Sequence, residues 1–184
     1  MLWLWILIAV VAIVVIVFFS YYNRFVRLSN RIDNSLSQID VQLKRRTDLI
    51  PNLMESVKGY MKHEKSIMKS VTDARKALMS AKNISEKMKA NNKMEGFLGK
   101  LFALAENYPD LKANTNFLEL QRELVTTEDK VAYSRQFYND SILSYNNSVK
   151  LMPGRFFAGM YGFKEKPYIK IEEAEKKVVK VKFD

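Results

Sequence analysis

The sequence predicts an all-α protein: an N-terminal transmembrane helix continuing into a long antiparallel helical bundle. Three observations carry this. The first 23 residues, MLWLWILIAVVAIVVIVFFSYYN, precede the first charged side chain, Arg24. Apolar residues then recur at steps of three or four over residues 25–61 and again over 117–149, the spacing that lines one face of a helix. Only six Gly and four Pro interrupt 184 residues, and no Gly/Ser-rich linker is present, so long elements are expected. The order that follows is a membrane anchor at 1–23, a bundle at 24–152, and an aromatic, glycine-containing segment with a charged tail at 153–184.

At about 1.5 Å per residue, the first twenty residues cover about 30 Å, the hydrocarbon thickness of a bilayer. A cleavable signal peptide would begin with a basic region and end in small residues, whereas this stretch begins apolar and leaves through Phe18, Phe19, Tyr21 and Tyr22. A buried core helix or an interfacial helix would show a polar stripe, and none is present. Trp3 and Trp5 at one end, with the Phe and Tyr residues at the other, have the placement of aromatic belts at both headgroup levels. No Lys or Arg precedes the span, while Arg24, Arg27 and Arg31 follow it closely. The positive-inside bias then puts a short N-terminus outside and the rest of the chain in the cytoplasm, as in a single-pass protein.

The formal net charge is +10 and the pI about 9.6. Beside an anionic inner leaflet each basic group gains about 1 kcal/mol, so the membrane accounts for the charge. The Lys44-Arg45-Arg46 cluster and the lysines that follow are interleaved with acids and lack an aromatic stacking platform. No nucleic-acid partner is therefore expected.

The first stripe runs Phe25, Leu28, Ile32, Leu36, Ile39, Leu43, Ile50, Leu53, Val57 and Met61, with one gap at Arg46. Pro51 predicts a kink near residues 47–50 rather than an end, with Thr47 and Asp48 placed to satisfy freed backbone groups. The pattern resumes through Ile67, Val71, Ala74 and Leu78, then fades in the Lys-rich stretch 81–92. Met94, Leu98, Leu101, Phe102 and Ala105 suggest a second helix ending before Tyr108-Pro109, because a residue preceding proline is pushed out of the helical region. Residues 106–116 read as a connecting turn. Asn114 or Thr115 is a natural N-cap for a third long helix, striped by Phe117, Leu120, Leu124, Val131, Tyr138, Ile142, Tyr145 and Val149 and stopped by Pro153-Gly154.

RFFAGMYGFK, residues 155–164, is too apolar to be left in water and should fold back onto the bundle or touch the membrane. In the tail, Val179, Val181 and Phe183 alternate with lysines, compatible with a short strand or a frayed end.

No catalytic constellation is visible. There is no Cys, and the single histidine, His63, lacks the second histidine four residues on that a zinc-protease helix needs. Gly154, Gly159 and Gly162 are too irregular to cradle phosphate. No cofactor, no metal and no enzymatic activity are expected. Polar residues on otherwise apolar faces stand out instead: Asp40, Arg46 and Asp48 on the first helix, and Glu128, Arg135 and Asn139 on the third. In antiparallel helices these would form a partly buried network that fixes register.

Residues 37–64 (SQIDVQLKRRTDLIPNLMESVKGYMKHE), 105–124 (AENYPDLKANTNFLELQREL) and 126–149 (TTEDKVAYSRQFYNDSILSYNNSV) closely resemble the LemA family of bacterial membrane proteins. The resemblance implies one N-terminal membrane helix and an all-helical cytoplasmic bundle. It matches the family pattern at Asp48, Pro51, Asn52, Tyr108, Pro109, Leu111, Glu128, Arg135, Tyr138, Asn139, Tyr145, Asn146 and Pro153, implying kink, turn and helix-contact roles. It supplies no catalytic activity. LemA-like proteins include one involved in shaping magnetosome membranes, and their genes often accompany membrane metalloproteases, which implies work at a membrane.

Two functions follow as expectations. The first is a non-enzymatic scaffold that self-assembles, a homo-oligomer, because a second apolar stripe (Val26, Ile67, Met68, Leu118, Val125) exceeds what one bundle buries. The alternative is an adaptor for a membrane protease or other envelope partner, acting through the bundle or the C-terminal tail.

Overall fold

The computed structural model describes residues 1–169. The alternating Val179–Phe183 segment lies outside the described residues. The chain forms six helices: α1 (Leu2–Lys58), α2 (Lys65–Ser80), α3 (Ile84–Ala105), α4 (Pro109–Lys112), α5 (Thr115–Lys150) and α6 (Gly154–Tyr161). No strand is present among the described residues.

α1 is a single 57-residue helix, about 85 Å long at the usual rise. Its 18-residue apolar window has a mean hydropathy of 3.2, and none of that window is buried. By length and composition this part of α1 is sufficient to cross a membrane. From Phe25 onward the same helix becomes the central element of the bundle. Phe25, Ile32, Ile39, Arg46 and Leu53, each seven residues apart, are all buried.

α1 continues through Pro51. Proline removes the amide that would have bonded to the carbonyl of Thr47, and α2 supplies the replacement: Arg75 Nε donates to Thr47 O at 2.8 Å. Thr47 and Asp48 do something else. Thr47 Oγ1 donates to Lys44 O at 2.8 Å, and Asp48 pairs with Lys44 at 2.5 Å.

The 3–4 periodicity that runs on to Leu78 belongs to two helices, not one. α1 ends at Lys58, and the turn through Gly59, a poor helix former, is closed by Met61 N–H donating to Val57 O at 2.9 Å. Met61 is fully buried in that turn, so apolar spacing continues across a reversal of direction. α2 then packs Ile67, Val71, Ala74 and Leu78 inward. Ile67 accordingly belongs to the core, not to a second exposed stripe; of that stripe Leu118 and Val125 remain exposed.

α3 starts earlier than the apolar pattern suggests. Asn83 caps it, accepting from Glu86 N–H at 2.9 Å while Glu86 reaches back to Lys82 N–H at 2.9 Å, a reciprocal box that satisfies one free amide of the first turn and the amide just before the cap. The Lys-rich stretch around residues 84–92 is thus helical. The turn at 106–116 contains α4, one turn with Pro109 in its first turn and Leu111 buried. Asn114 caps α5, accepting from Phe117 N–H at 3.1 Å.

α5 runs antiparallel to α1: Ser141 faces Ser35, and Glu128 faces Arg46. On α5, Phe117, Leu124, Val131, Tyr138 and Tyr145 recur every seven residues, and so do Thr127, Ser134, Ser141 and Ser148, all buried. The second row is small and polar. Three of its hydroxyls bond to their own helix: Thr127 to Leu124 O at 2.8 Å, Ser141 to Phe137 O at 2.8 Å and Ser148 to Ser144 O at 3.1 Å. Such small, internally bonded side chains allow a close helix approach, with Ser35 Oγ and Ser141 Oγ 3.1 Å apart.

Two buried tyrosines on α5 make the bundle alkali-sensitive. Burial, with the charge of Asp33 as a lesser cause, raises Tyr138 above its ordinary value, and burial alone raises Tyr145. A raised folded value favours the neutral phenol. Its contribution is present in full below the unfolded value of about 10 and is lost as pH rises through the folded values. The midpoint of thermal unfolding is expected to be level between neutrality and about pH 9 and to fall above about pH 10, with Tyr138→Phe reducing the fall.

Candidate functional site

The polar residues of the two long helices resolve into separate arrangements. Arg46 occupies one of the seven-residue core positions of α1 and is 1% exposed. Its Nη1 donates to Asn91 Oδ1 of α3 at 3.0 Å, and its Nη2 to Glu128 Oε2 of α5 at 3.4 Å. One side chain thereby ties three helices together. Burial pulls the guanidinium below its ordinary value, and the charges of Glu128 and Glu95 oppose that pull. Arg46 Nε is buried without a hydrogen-bond partner among the described residues.

Arg135 lies beside Glu128 and Asn91 in a small surface depression. Asp40 pairs instead with Lys87 of α3 at 2.7 Å, and Asp48 with Lys44 on its own helix. Arg45 pairs with Glu123 at 3.2 Å. The basic run 44–46 is therefore one buried node and two ion pairs.

Asn139 is in none of these. With Asn146, seven residues on, it holds the segment that follows α6. Asn146 donates to Lys166 O at 2.9 Å and accepts from Lys166 N–H at 2.9 Å; Asn139 donates to Ile169 O at 3.1 Å and accepts from Ile169 N–H at 3.0 Å. The spacing is geometric. Seven helical residues rise about 10.5 Å, and three extended residues cover about 10 Å, so two carboxamides on one helix face register with every third residue of an extended strap. Lys166 adds a bond to Ser29 Oγ at 2.9 Å and lies over the Tyr145 ring at 5.3 Å. Ile169 is buried against the core.

The third arrangement lies where the bundle meets the apolar span. After Pro153, α6 folds back on α1. Phe157 stacks on Tyr21 with centroids 4.5 Å apart, Tyr161 meets Phe18 edge-on at 5.0 Å and Tyr22 at 5.3 Å, and Phe163 meets Phe25 at 5.0 Å. Tyr161 Oη donates to the Phe18 carbonyl at 2.6 Å. Partial burial raises the Tyr161 phenol above its ordinary value. Phe18, Tyr21 and Tyr22 thus have protein partners, while Phe19, Trp3 and Trp5 are exposed. Arg31 stacks over Phe137 at 5.0 Å, and Arg24 lines a depression with Tyr21 and Pro153.

Two glycines make this return possible. Gly162 ends α6 with φ +76°, a conformation that other residues adopt at a cost, and Phe163 N–H closes the end on Ala158 O at 2.9 Å. At Gly154 a Cβ would lie 2.2 Å from the Ser148 carbonyl oxygen. Gly154→Ala is expected to displace α6 and cost about 1–3 kcal/mol, read as a lower unfolding midpoint and as loss of near-ultraviolet dichroism from the aromatic cluster.

Sequence periodicity alone does not find the strap or its clamps, because carboxamides on an apolar face resemble ordinary helix-contact residues. The seven-residue repeat of Asn139 and Asn146 is the signal that was there. Among the described residues, no three His, Asp or Glu side chains stand together as a metal group, and His63 is exposed in the turn before α2.

A single apolar helix that becomes the spine of an antiparallel helical bundle, sealed at its base by an aromatic return helix, defines a membrane-associated helical protein. The family model described as LemA family matches residues 35–183, and the chain belongs to that family. It is 26% identical over 173 residues to Magnetosome protein MamQ of Magnetospirillum gryphiswaldense, covering 80% of this chain and 64% of that one. It is 27% identical over 128 residues to Protein LemA of Metamycoplasma hominis, covering 69% and 58%. The chain spans about two thirds or less of the length of these relatives.

Proposed function

We propose that the protein is a non-catalytic scaffold of the bacterial inner membrane, which assembles with copies of itself to organise the cytoplasmic membrane face. The observation that carries this reading is the continuity of α1. One unbroken helix joins the span to the far end of the bundle, so every bundle surface keeps a fixed attitude to the span, as a scaffold requires.

An unfilled surface supports assembly. Between α3 and α5 lies an open cavity of about 700 Å³, bordered by Gly96, Gly99, Phe102 and Val125. An added Cβ at either glycine would meet nothing within 4 Å, which leaves room for a helix of another copy to approach. The relative named as a magnetosome protein, at 26% identity, agrees with work at a membrane.

The test is mass photometry with electron microscopy on the full-length protein in nanodiscs or mild detergent. A closed assembly of many copies is expected. A lone rod at micromolar concentration would overturn self-assembly and favour an adaptor for a membrane protease or other envelope partner. Orientation is tested separately, since the chain has no cysteine. A Val41→Cys variant, exposed on α1, should react with an impermeant maleimide in inside-out but not right-side-out vesicles.

A further inference from the structure

We propose that α6 is an interfacial helix: one face holds α1, and the other, carried by Phe156 and Met160, sits in the headgroup–acyl boundary of the bilayer that α1 crosses. The inference rests on reading the apolar part of α1 as a membrane span. Three observations on the page lead to it.

The first is height. α6 touches α1 only where the apolar stretch ends, through Tyr161 to Phe18 and Phe157 to Tyr21, and Phe163 closes the contact at Phe25. Residues 18–25 rise over about 10 Å of helix, a slab comparable to the zone that interfacial helices occupy. The second is the outward face. Phe156 is 59% and Met160 53% exposed, one turn apart on α6, and Leu151 and Met152 beside them are 62% and 75% exposed. Their neighbour Phe157 is turned inward against Tyr21, so the segment is apolar on two sides and only one is covered by protein.

The third is charge. Arg24, Arg27, Arg155 and Lys164 surround this level and are exposed, which suits anionic headgroups. The occupant is lipid rather than a second protein because the surface is continuous with the span. A bilayer that solvates the α1 residues next to Phe18 must also reach residues packed on Phe18.

Because α6 is also tied to the strap held by Asn139 and Asn146, the bundle gains a second point of attachment to the membrane. One helix fixes position, and two attachments fix tilt.

The test uses the full-length chain with single-cysteine variants Met160→Cys, Phe156→Cys, Val14→Cys and Val41→Cys, each carrying the fluorophore NBD. They are reconstituted in vesicles of phosphatidylcholine and phosphatidylglycerol containing lipid spin-labelled either shallowly or at mid-chain. The first two sites are exposed, so the label displaces no core contact, and the far-ultraviolet dichroism of each variant should match the parent. Labels at 160 and 156 are expected to be blue-shifted and quenched about twofold by the shallow quencher, with less effect at mid-chain. The label at 14 should be quenched at mid-chain and the label at 41 by neither. Labels at 160 and 156 that behave like the one at 41, while 14 is quenched, would overturn the inference and leave the span intact. A blue shift without quenching would mean that protein, a second copy, covers the face, and would overturn it as well. No quenching at 14 would bring down the span reading and this inference together.

Discussion

Arg46→Ala is expected to lower the stability of the bundle by about 3–5 kcal/mol, the range for emptying a large buried site and abandoning its polar partners. The side chain is 1% exposed and supplies a hydrogen bond to Asn91, itself 3% exposed, as well as the pairing with Glu128. Arg46→Met keeps most of the volume and removes the charge, so its loss should be smaller and come mainly from Asn91, whose carbonyl is left unsatisfied at about 1–3 kcal/mol. Arg46→Met with Asn91→Leu removes both ends of that bond and should regain most of the difference. Glu128→Gln should cost little, because Glu128 is 41% exposed at its side chain and water screens what it contributes. Chemical denaturation of the four variants checks the order. An Arg46→Met variant as unstable as Arg46→Ala would show that the charge with its hydrogen bonds, not the volume of the side chain, carries the site.

The second large effect is expected from the carboxamide clamps. Asn139→Ala and Asn146→Ala each remove two hydrogen bonds, about 1–3 kcal/mol apiece. Together they should release the strap and expose Ile169, raising the total to about 3–5 kcal/mol. The readout is local: exchange of the Lys166 and Ile169 amides should quicken by more than tenfold in the double variant, since about 1.4 kcal/mol is a factor of ten, while amides of α2 and α3 change less. Asn139→Asp separates the two bonds. It keeps an acceptor for Ile169 N–H and sets a carboxylate against Ile169 O, so it should behave almost as badly as Asn139→Ala. Unchanged protection at Lys166 in the double variant would mean that the aromatic return of α6 alone holds the strap.

Much of this architecture is legible in the residues. The span needs only an uncharged stretch of sufficient length, because in hydrocarbon a backbone must satisfy itself and a helix does so locally. The α5 cap at Asn114 and the stop after Lys150 are likewise local matters of side-chain oxygen and proline. The turn at Gly59 was hidden because apolar spacing continues through Val57, buried Met61 and Ile67 whether the chain runs on or reverses. The start of α3 was hidden because a cap box with few apolar residues has no stripe to announce it. The small row Thr127, Ser134, Ser141 and Ser148 was invisible to a search for hydrophobic residues, although it sets how closely α5 approaches α1.

The sequence by itself therefore determined the all-helical class, the membrane-compatible N-terminus and the set of polar residues on apolar helix faces, since these depend on composition and on spacing within one element. Only the tertiary structure decided which partners the polar residues take: Arg75 for the carbonyl freed by Pro51, Asn91 and Glu128 for Arg46, and the strap for Asn139 and Asn146. The reason is physical. A helix is closed by bonds four residues apart, whereas a buried polar group must be satisfied by whatever the packing of distant segments brings within 3 Å, and that distance is not written in any single stretch of the chain.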